Sequence, residues 1–437
     1  MHASLNLFPD KLRTKAVLLL FCLTSLLSGN VFARDWYVAL NGNDNTGNGT
    51  SANPYRTIQA AANVALQAGD VIKIGAGQYR EIVALKANNV TFEPLGDGTV
   101  TLNGTDIVAG WTQVSTGLYS TSAMTWDLKD QGYLSLGANQ LFEDKKMIEL
   151  ARWPDQTSDD IIAPTNSYIE SNDINGTVIT IRDSKFNEGN DKRWKGARIW
   201  INLSRPSSDG QGYVYTVLDV GPNTIIVDRG DKDNTTNNQD QPWSTGVGTE
   251  YYLFDPTPEG VAIAGGINNM LSAGEWWRDT STGQANSGKL FVKTKSGSAP
   301  YNSITEPSSG TAPVIESKRR LWGFWSDSYP VKGSYTIRGL NFFACSFSTI
   351  PDPRGDAYIG RSSNVPDGAT GITLDGLTFN YVSHHTTSKD YNFEFIGWGG
   401  IVFNAVNSTI QNCTIRYSAA SAISLRGRNL RVTNIKI

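Results

Sequence analysis

Histidine and cysteine are almost absent from this chain, three residues of each in 437, and its charged residues are nearly balanced, 38 Lys and Arg against 41 Asp and Glu. With no surplus of positive charge there is no field to hold a nucleic-acid backbone, so nucleic acid is not an expected partner. So few His and Cys leave no set with metal-ligand spacing, and no metal ligand is assigned. Long apolar runs are missing too. The longest, Ala16 to Leu27, is too short for a comfortable membrane span; it follows Lys11, Arg13 and Lys15 and leads to Val31-Phe32-Ala33. That order is the order of a secretory signal peptide cut after Ala33, so the mature chain is expected outside the cytoplasm, in the periplasm, at the cell surface or beyond. Cys22 leaves with the signal. Cys345 and Cys413 stand in different registers of the repeat described next, and two buried free thiols are expected rather than a bridge.

What the chain has in quantity is Gly and Asn, and it uses them periodically. One six-residue phrase, aliphatic, any, Gly or Asn, hydrophobe, any, hydrophobe, occurs at Ile337 to Phe342, Leu374 to Phe379, Ile410 to Ile415 and Val432 to Ile437. Alternation on both sides of a Gly or Asn describes a short strand, a left-handed bend and a second short strand. The intervals are 37, 36 and 22 residues, and the shortest is about one turn of a parallel β-solenoid. The expected fold class is therefore all-β: a right-handed parallel β-helix with a short N-terminal capping helix near Thr57 to Gln67, interrupted by an inserted antiparallel, sandwich-like domain. Expected boundaries are 1–33 for the signal, 34–105 for the cap and first coils, 106–329 for the insertion and 330–437 for the continuing coils. The fourth phrase ends on the last residue, which reads as a solenoid cut mid-coil.

The block from Trp36 to Val83, with Asp70-Val71-Ile72-Lys73-Ile74 and Gly75-Ala76-Gly77 after an Ala-rich helix, resembles the opening of secreted β-helix proteins of the pectate-lyase-like superfamily. Two stretches of the central segment, Gln140 to Pro154 and Gly274 to Phe291, resemble insertions in β-helix glycoside hydrolases. The resemblance implies the fold and the domain arrangement without fixing a reaction or a substrate.

A packed solenoid offers ligands only its outer faces and loops. Subtracting the basic period from the first two intervals leaves two long excursions, roughly Ile350 to Thr370 and Ser383 to Gly399, expected to wall one cleft. The second holds His384 and His385, then Lys389, Asp390, Tyr391, Glu394 and Trp398. Asp390 and Glu394 are candidates for a glycosidase carboxylate pair. His384, His385 or Tyr391 is the candidate base of a lyase, with Arg416 or a metal neutralising a uronate carboxylate. Trp398, Lys389, Tyr417 and Arg426 are the candidate substrate-binding residues, and the bland alternative for each is a solvated loop or an exposed strand. No cofactor is required on this reading. Calcium is the one the acidic residues Asp352, Asp356 and Asp367, or the Asn and Asp cluster near Asp44, would suit, and turn chemistry explains them as well. Trp153, Trp276 and Trp277 are the tryptophans worth testing as sugar platforms. The expected function is a secreted, monomeric carbohydrate-active enzyme that cleaves glycosidic bonds of an extracellular polysaccharide, hydrolase slightly before lyase. The rival is a non-catalytic surface adhesin or carbohydrate-binding scaffold.

Overall fold

A computed structural model describes residues 33–65, 67–85, 89–124, 139–157, 165–188, 192–205, 208–228, 247–307, 310, 312–326, 334–349, 369–382, 400–418 and 422–437. Among the described residues the structure is all-β apart from two short helices and one 3-10 turn. Its strands form two parallel sheets and two that are antiparallel but for one parallel pairing.

The first three six-residue phrases fold as a strand, a left-handed residue and a second strand, and in the fourth Asn434 is followed by a single bridge from Lys436 to Thr414. Tyr335–Arg338 and Asn341–Phe343 flank Gly339 (φ 67°), Thr373–Asp375 and Thr378–Asn380 flank Gly376 (φ 64°), and Asn412 (φ 56°) precedes Thr414–Arg416. The repeat intervals are the pairing register: Ile337 lies beside Leu374, Leu374 beside Ile410 and Ile410 beside Val432, all in parallel. First strands of the phrases join an eleven-stranded curled sheet. Second strands join a five-stranded sheet in the order Gly77–Tyr79, Val100–Asn103, Asn341–Phe343, Thr378–Asn380, Thr414–Arg416. Val100–Asn103 pairs directly with Asn341–Phe343, so chain segments more than two hundred residues apart are neighbours. Trp322–Ser326, which lies within the segment expected to be inserted, pairs in parallel with Val83–Leu85 and Ser346–Ser348.

Because side chains alternate along each strand, one column points inward from every coil. Leu102, Phe342, Phe379 and Ile415 form such a column in one hydrophobic cluster with Ile337, Leu374 and Ile410, and Phe342 stacks on Phe379 at 4.4 Å. Cys345 and Cys413 are free and buried in the same cluster. At the N-terminal end the helix Ile58–Val64 covers the stack with Ile58, Ala61 and Ala62, and Thr57 caps it by accepting from the Ala60 N–H.

Residues 105–318 supply the other two sheets. One runs Thr105–Ile107, Ile315–Lys318, Leu141–Glu143, Lys146–Leu150, Glu275–Arg278, Leu290–Lys293, Leu118–Ser120, Thr112–Ser115, antiparallel except where Lys146–Leu150 meets Glu275–Arg278. Leu141, Ile148, Trp276 and Ile315 fill one of its faces. At one end of the opposite face Phe142 and Met147 pack on Phe343, Ala344 and Tyr381 of the parallel stack; farther along, Trp277, Phe291 and Leu118 pack on the second sheet of this segment through Ile199, Tyr251 and Leu253.

Candidate functional site

The outer face of the five-stranded parallel sheet is covered at its N-terminal end and open at its C-terminal end. Its outward column after each core residue is Asn103, Phe343, Asn380 and Arg416, in register from strand to strand. Asn103 is fully buried and Phe343 nearly so, whereas Asn380 is half-buried and Arg416 exposed. The next residue of each coil turns through the left-handed region: Ala344 (φ 53°), Tyr381 (φ 56°) and Tyr417 (φ 57°). Left-handed backbone is costly for a bulky side chain, and successive coils hold it through Ala344 N–H to Asn380 O (2.9 Å) and Tyr381 N–H to Arg416 O (3.1 Å). These bends stack Tyr381 on Tyr417 at 4.7 Å and 14°, and Tyr417 is 40% exposed. An exposed aromatic ring therefore follows an exposed arginine, Arg416, which has no ion pair among the described residues.

The covered end is held by a buried charge network. Glu316, fully buried, receives hydrogen bonds at Oε1 from Lys145 Nζ (2.7 Å), Arg80 Nη2 (2.8 Å) and Thr105 Oγ1 (2.9 Å). Burial works to raise its carboxyl, but Lys145 and Arg80 outweigh it and hold Glu316 below the usual carboxylate range. Burial also draws the Lys145 ammonium down, against the pull of Glu316. Lys145 lies 5.0 Å over the Phe343 ring, so the aromatic column continues into a cation.

On the same face of the antiparallel sheet, Glu149 and Glu275 are in-register neighbours. Burial pushes Glu275 up to about 8 even though Oε2 accepts from the Ser272 N–H (2.9 Å), and burial raises Glu149 as well. Paired carboxyls of this kind suit acid–base chemistry, but Glu275 is 2% exposed and no glycan oxygen reaches it. Its proton belongs to the fold.

Of the residues expected from sequence, Arg416 and Tyr417 come together on this face. Arg426 does not join them: Ile423–Thr433 belongs to the eleven-stranded sheet, where Arg426 lies beside Asn404. His384, His385, Lys389, Asp390, Tyr391, Glu394 and Trp398 lie outside the described residues, as do Asp352, Asp356, Asp367 and the signal segment 1–32. The tryptophan expectation is corrected. Trp276 and Trp277 are buried, with their indole N–H groups on Ile148 O (3.1 Å) and Pro256 O (2.9 Å), and Trp153 is packed edge-on to Phe186. The Asp44 carboxylate accepts from the Arg56 and Thr57 N–H groups and from Thr57 Oγ1, tying its loop to the start of the helix. Among the described residues no three acidic, His or Cys side chains are grouped to hold a metal. Tyr381 and Asn380 were missed, although Tyr381 follows Gly376 at the same offset at which Tyr417 follows Asn412.

No family model and no curated protein matches this sequence. A solved structure titled "Glycoside hydrolase" is similar over 89% of this chain and 74% of its own length, with a TM-score of 0.51 and 13% identity. Another, titled "The complex structure of XylC with xylose", is similar over 91% of this chain and 56% of its own, with a TM-score of 0.43 and 12% identity. The first of these likenesses is one of fold.

Proposed function

We propose that this protein is a secreted carbohydrate-active enzyme that cleaves glycosidic bonds of an extracellular polysaccharide, as a glycoside hydrolase before a lyase. In this reading the parallel stack is a right-handed β-helix, residues 106–329 form a domain inserted into it, and the substrate lies on the outer face of the five-stranded sheet. The observation that carries it is the open Tyr417 ring, backed by Tyr381 and flanked by Arg416, because sugar rings present apolar faces to aromatic planes and hydroxyls or carboxylates to guanidinium. The fold shared with a protein titled as a glycoside hydrolase supports the choice of hydrolysis. Asp390 and Glu394 take the acid and nucleophile or base roles, since they follow Tyr381 closely in the chain.

The test is product release from a panel of neutral and uronate polysaccharides, read both as new reducing ends and as unsaturated-sugar absorbance. Reducing ends without absorbance are expected. Tyr417→Ala should raise KM by about tenfold with kcat largely kept, the signature of lost ground-state binding. Absorbance at the unsaturated product would move the protein to the lyases, and glycan binding without either product would make it a scaffold.

A further inference from the structure

At the opposite edge of the five-stranded sheet every coil turns a second left-handed corner, occupied in order by Gly339, Gly376, Asn412 and Asn434. The two asparagines build a ladder. Asn434 Nδ2 donates to Asn412 Oδ1 at 2.8 Å, and Asn412 Nδ2 donates to Asp375 Oδ1 at 2.8 Å. The ladder stops at the glycines, and the backbone does not demand that. Asn tolerates this conformation, as the next two coils show, and a Cβ on Gly376 would meet nothing nearer than 3.9 Å. What the missing side chains leave is an open groove of about 460 Å³. Bare backbone at Gly339 and Gly376 is part of its lining, together with Pro94, Glu93, Arg338 and Asp375.

The lining is mixed in a way that selects a ligand. Glu93 is buried and bound by both Lys73 and Arg338, while the Arg338 side chain remains 55% exposed. Asp375 and the exposed Arg338 guanidinium offer an acceptor and donors close together, and with Lys73 and Arg338 both on Glu93 the charges there balance, so the groove has no positive surplus to draw a polyanion. Exposed backbone beside a proline ring admits a flat, hydroxylated ring at close range. Between this groove and the tyrosine column lies one three-residue strand, Thr378–Asn380, or roughly 10 Å. An extended glycan crossing the sheet meets both.

We propose that the glycine-corner groove is a second subsite, one that holds a neutral sugar unit of the glycan that stacks on Tyr417; this rests on the glycan-cleaving reading above. Gly376→Asn is the discriminating variant, because it extends the ladder by one rung, fills the groove and keeps the corner's conformation. Titration calorimetry with xylohexaose, cellohexaose, hexagalacturonate and the matching disaccharides reads the outcome. The wild-type chain should bind a neutral hexamer, and Gly376→Asn should weaken that binding by about tenfold while leaving the disaccharide affinity unchanged. Arg338→Ala, which alters the wall instead of the floor, should weaken the hexamer in the same direction, and a melting temperature of Gly376→Asn at or above wild type shows that the groove was filled and the coil kept. Equal hexamer affinity in wild type and both variants overturns the subsite while the enzyme reading stands. Preference for hexagalacturonate over both neutral hexamers overturns the assignment to neutral sugar. If no glycan is bound and none is cleaved, the enzyme reading falls and the subsite falls with it.

Discussion

The parallel stack and the antiparallel sheets treat charge in opposite ways. Among the described residues the stack buries two charged side chains, Asp70 and Glu93, whereas residues 105–318 bury seven, Glu143, Arg152, Asp183, Glu275, Asp279, Glu316 and Lys318. The difference follows from layering. Along the parallel strands the inward positions are apolar and most charged side chains stand on the outer faces, so few are enclosed. The antiparallel sheets have neighbours on both faces, and side chains at their junctions are enclosed whatever their polarity. The same contrast holds for lysine. Lys73 on the stack is drawn upward by Glu93, whereas burial pulls Lys318 down to about 8, with its Nζ on Gln140 Oε1 at 2.8 Å. Desolvation decides Lys318 and the bond to Glu93 decides Lys73.

Three measurements would break or sharpen this contrast. The largest effect is expected at Glu275. Its carboxyl ionises near 4.5 in the unfolded chain and near 8 in the folded one, so between those values the native state binds more protons and stability falls as pH rises. The contribution of the neutral form is complete below the lower value and gone above the upper one, a total of roughly 5 kcal/mol. Glu275→Gln should flatten that slope in urea titrations run across the window; an unchanged slope would mean that the carboxyl ionises in place. Next comes Glu316→Ala, which strands Lys145 and Arg80 beside a desolvated gap and should cost about 3–5 kcal/mol. A loss below about 1 kcal/mol would mean that the junction is as wet as an exposed ion pair. The smallest effect belongs to the stack. Asn412→Ala removes two ladder hydrogen bonds and the polar side chain that makes φ 56° tolerable for a residue with a Cβ, a loss of about 2 kcal/mol, and Asn412→Gly should recover the conformational part. Equal losses for Ala and Gly would assign the whole effect to the hydrogen bonds.

Much of the stack was legible beforehand because its determinants are local and repeated. A Gly or Asn between alternating strands needs no distant partner to declare itself, and the intervals 37, 36 and 22 reappear as the register of Ile337, Leu374, Ile410 and Val432. The site was legible only in part. Arg416 and Tyr417 were visible from their place after the third phrase, but Arg426 was grouped with them by sequence distance, and the coil carries it to another sheet. The tryptophans misled for a related reason. The flat apolar face that suits an indole to a sugar ring suits it equally to a core, and only the second sheet closing over Trp277 makes it core.

By itself the sequence determined the corners: which residues bend, how far apart the coils recur and which hydrophobes face inward, because those are properties of a few adjacent residues. Tertiary structure alone decided where the chain is open. Tyr381 and Tyr417 become a platform only because two coils stack them, Glu316 is a buried anion only because an antiparallel strand seals it against the parallel sheet, and Gly339 and Gly376 make a groove only because the neighbouring corners carry asparagine. Exposure and desolvation depend on everything that packs nearby, and no short stretch of sequence contains its own surroundings.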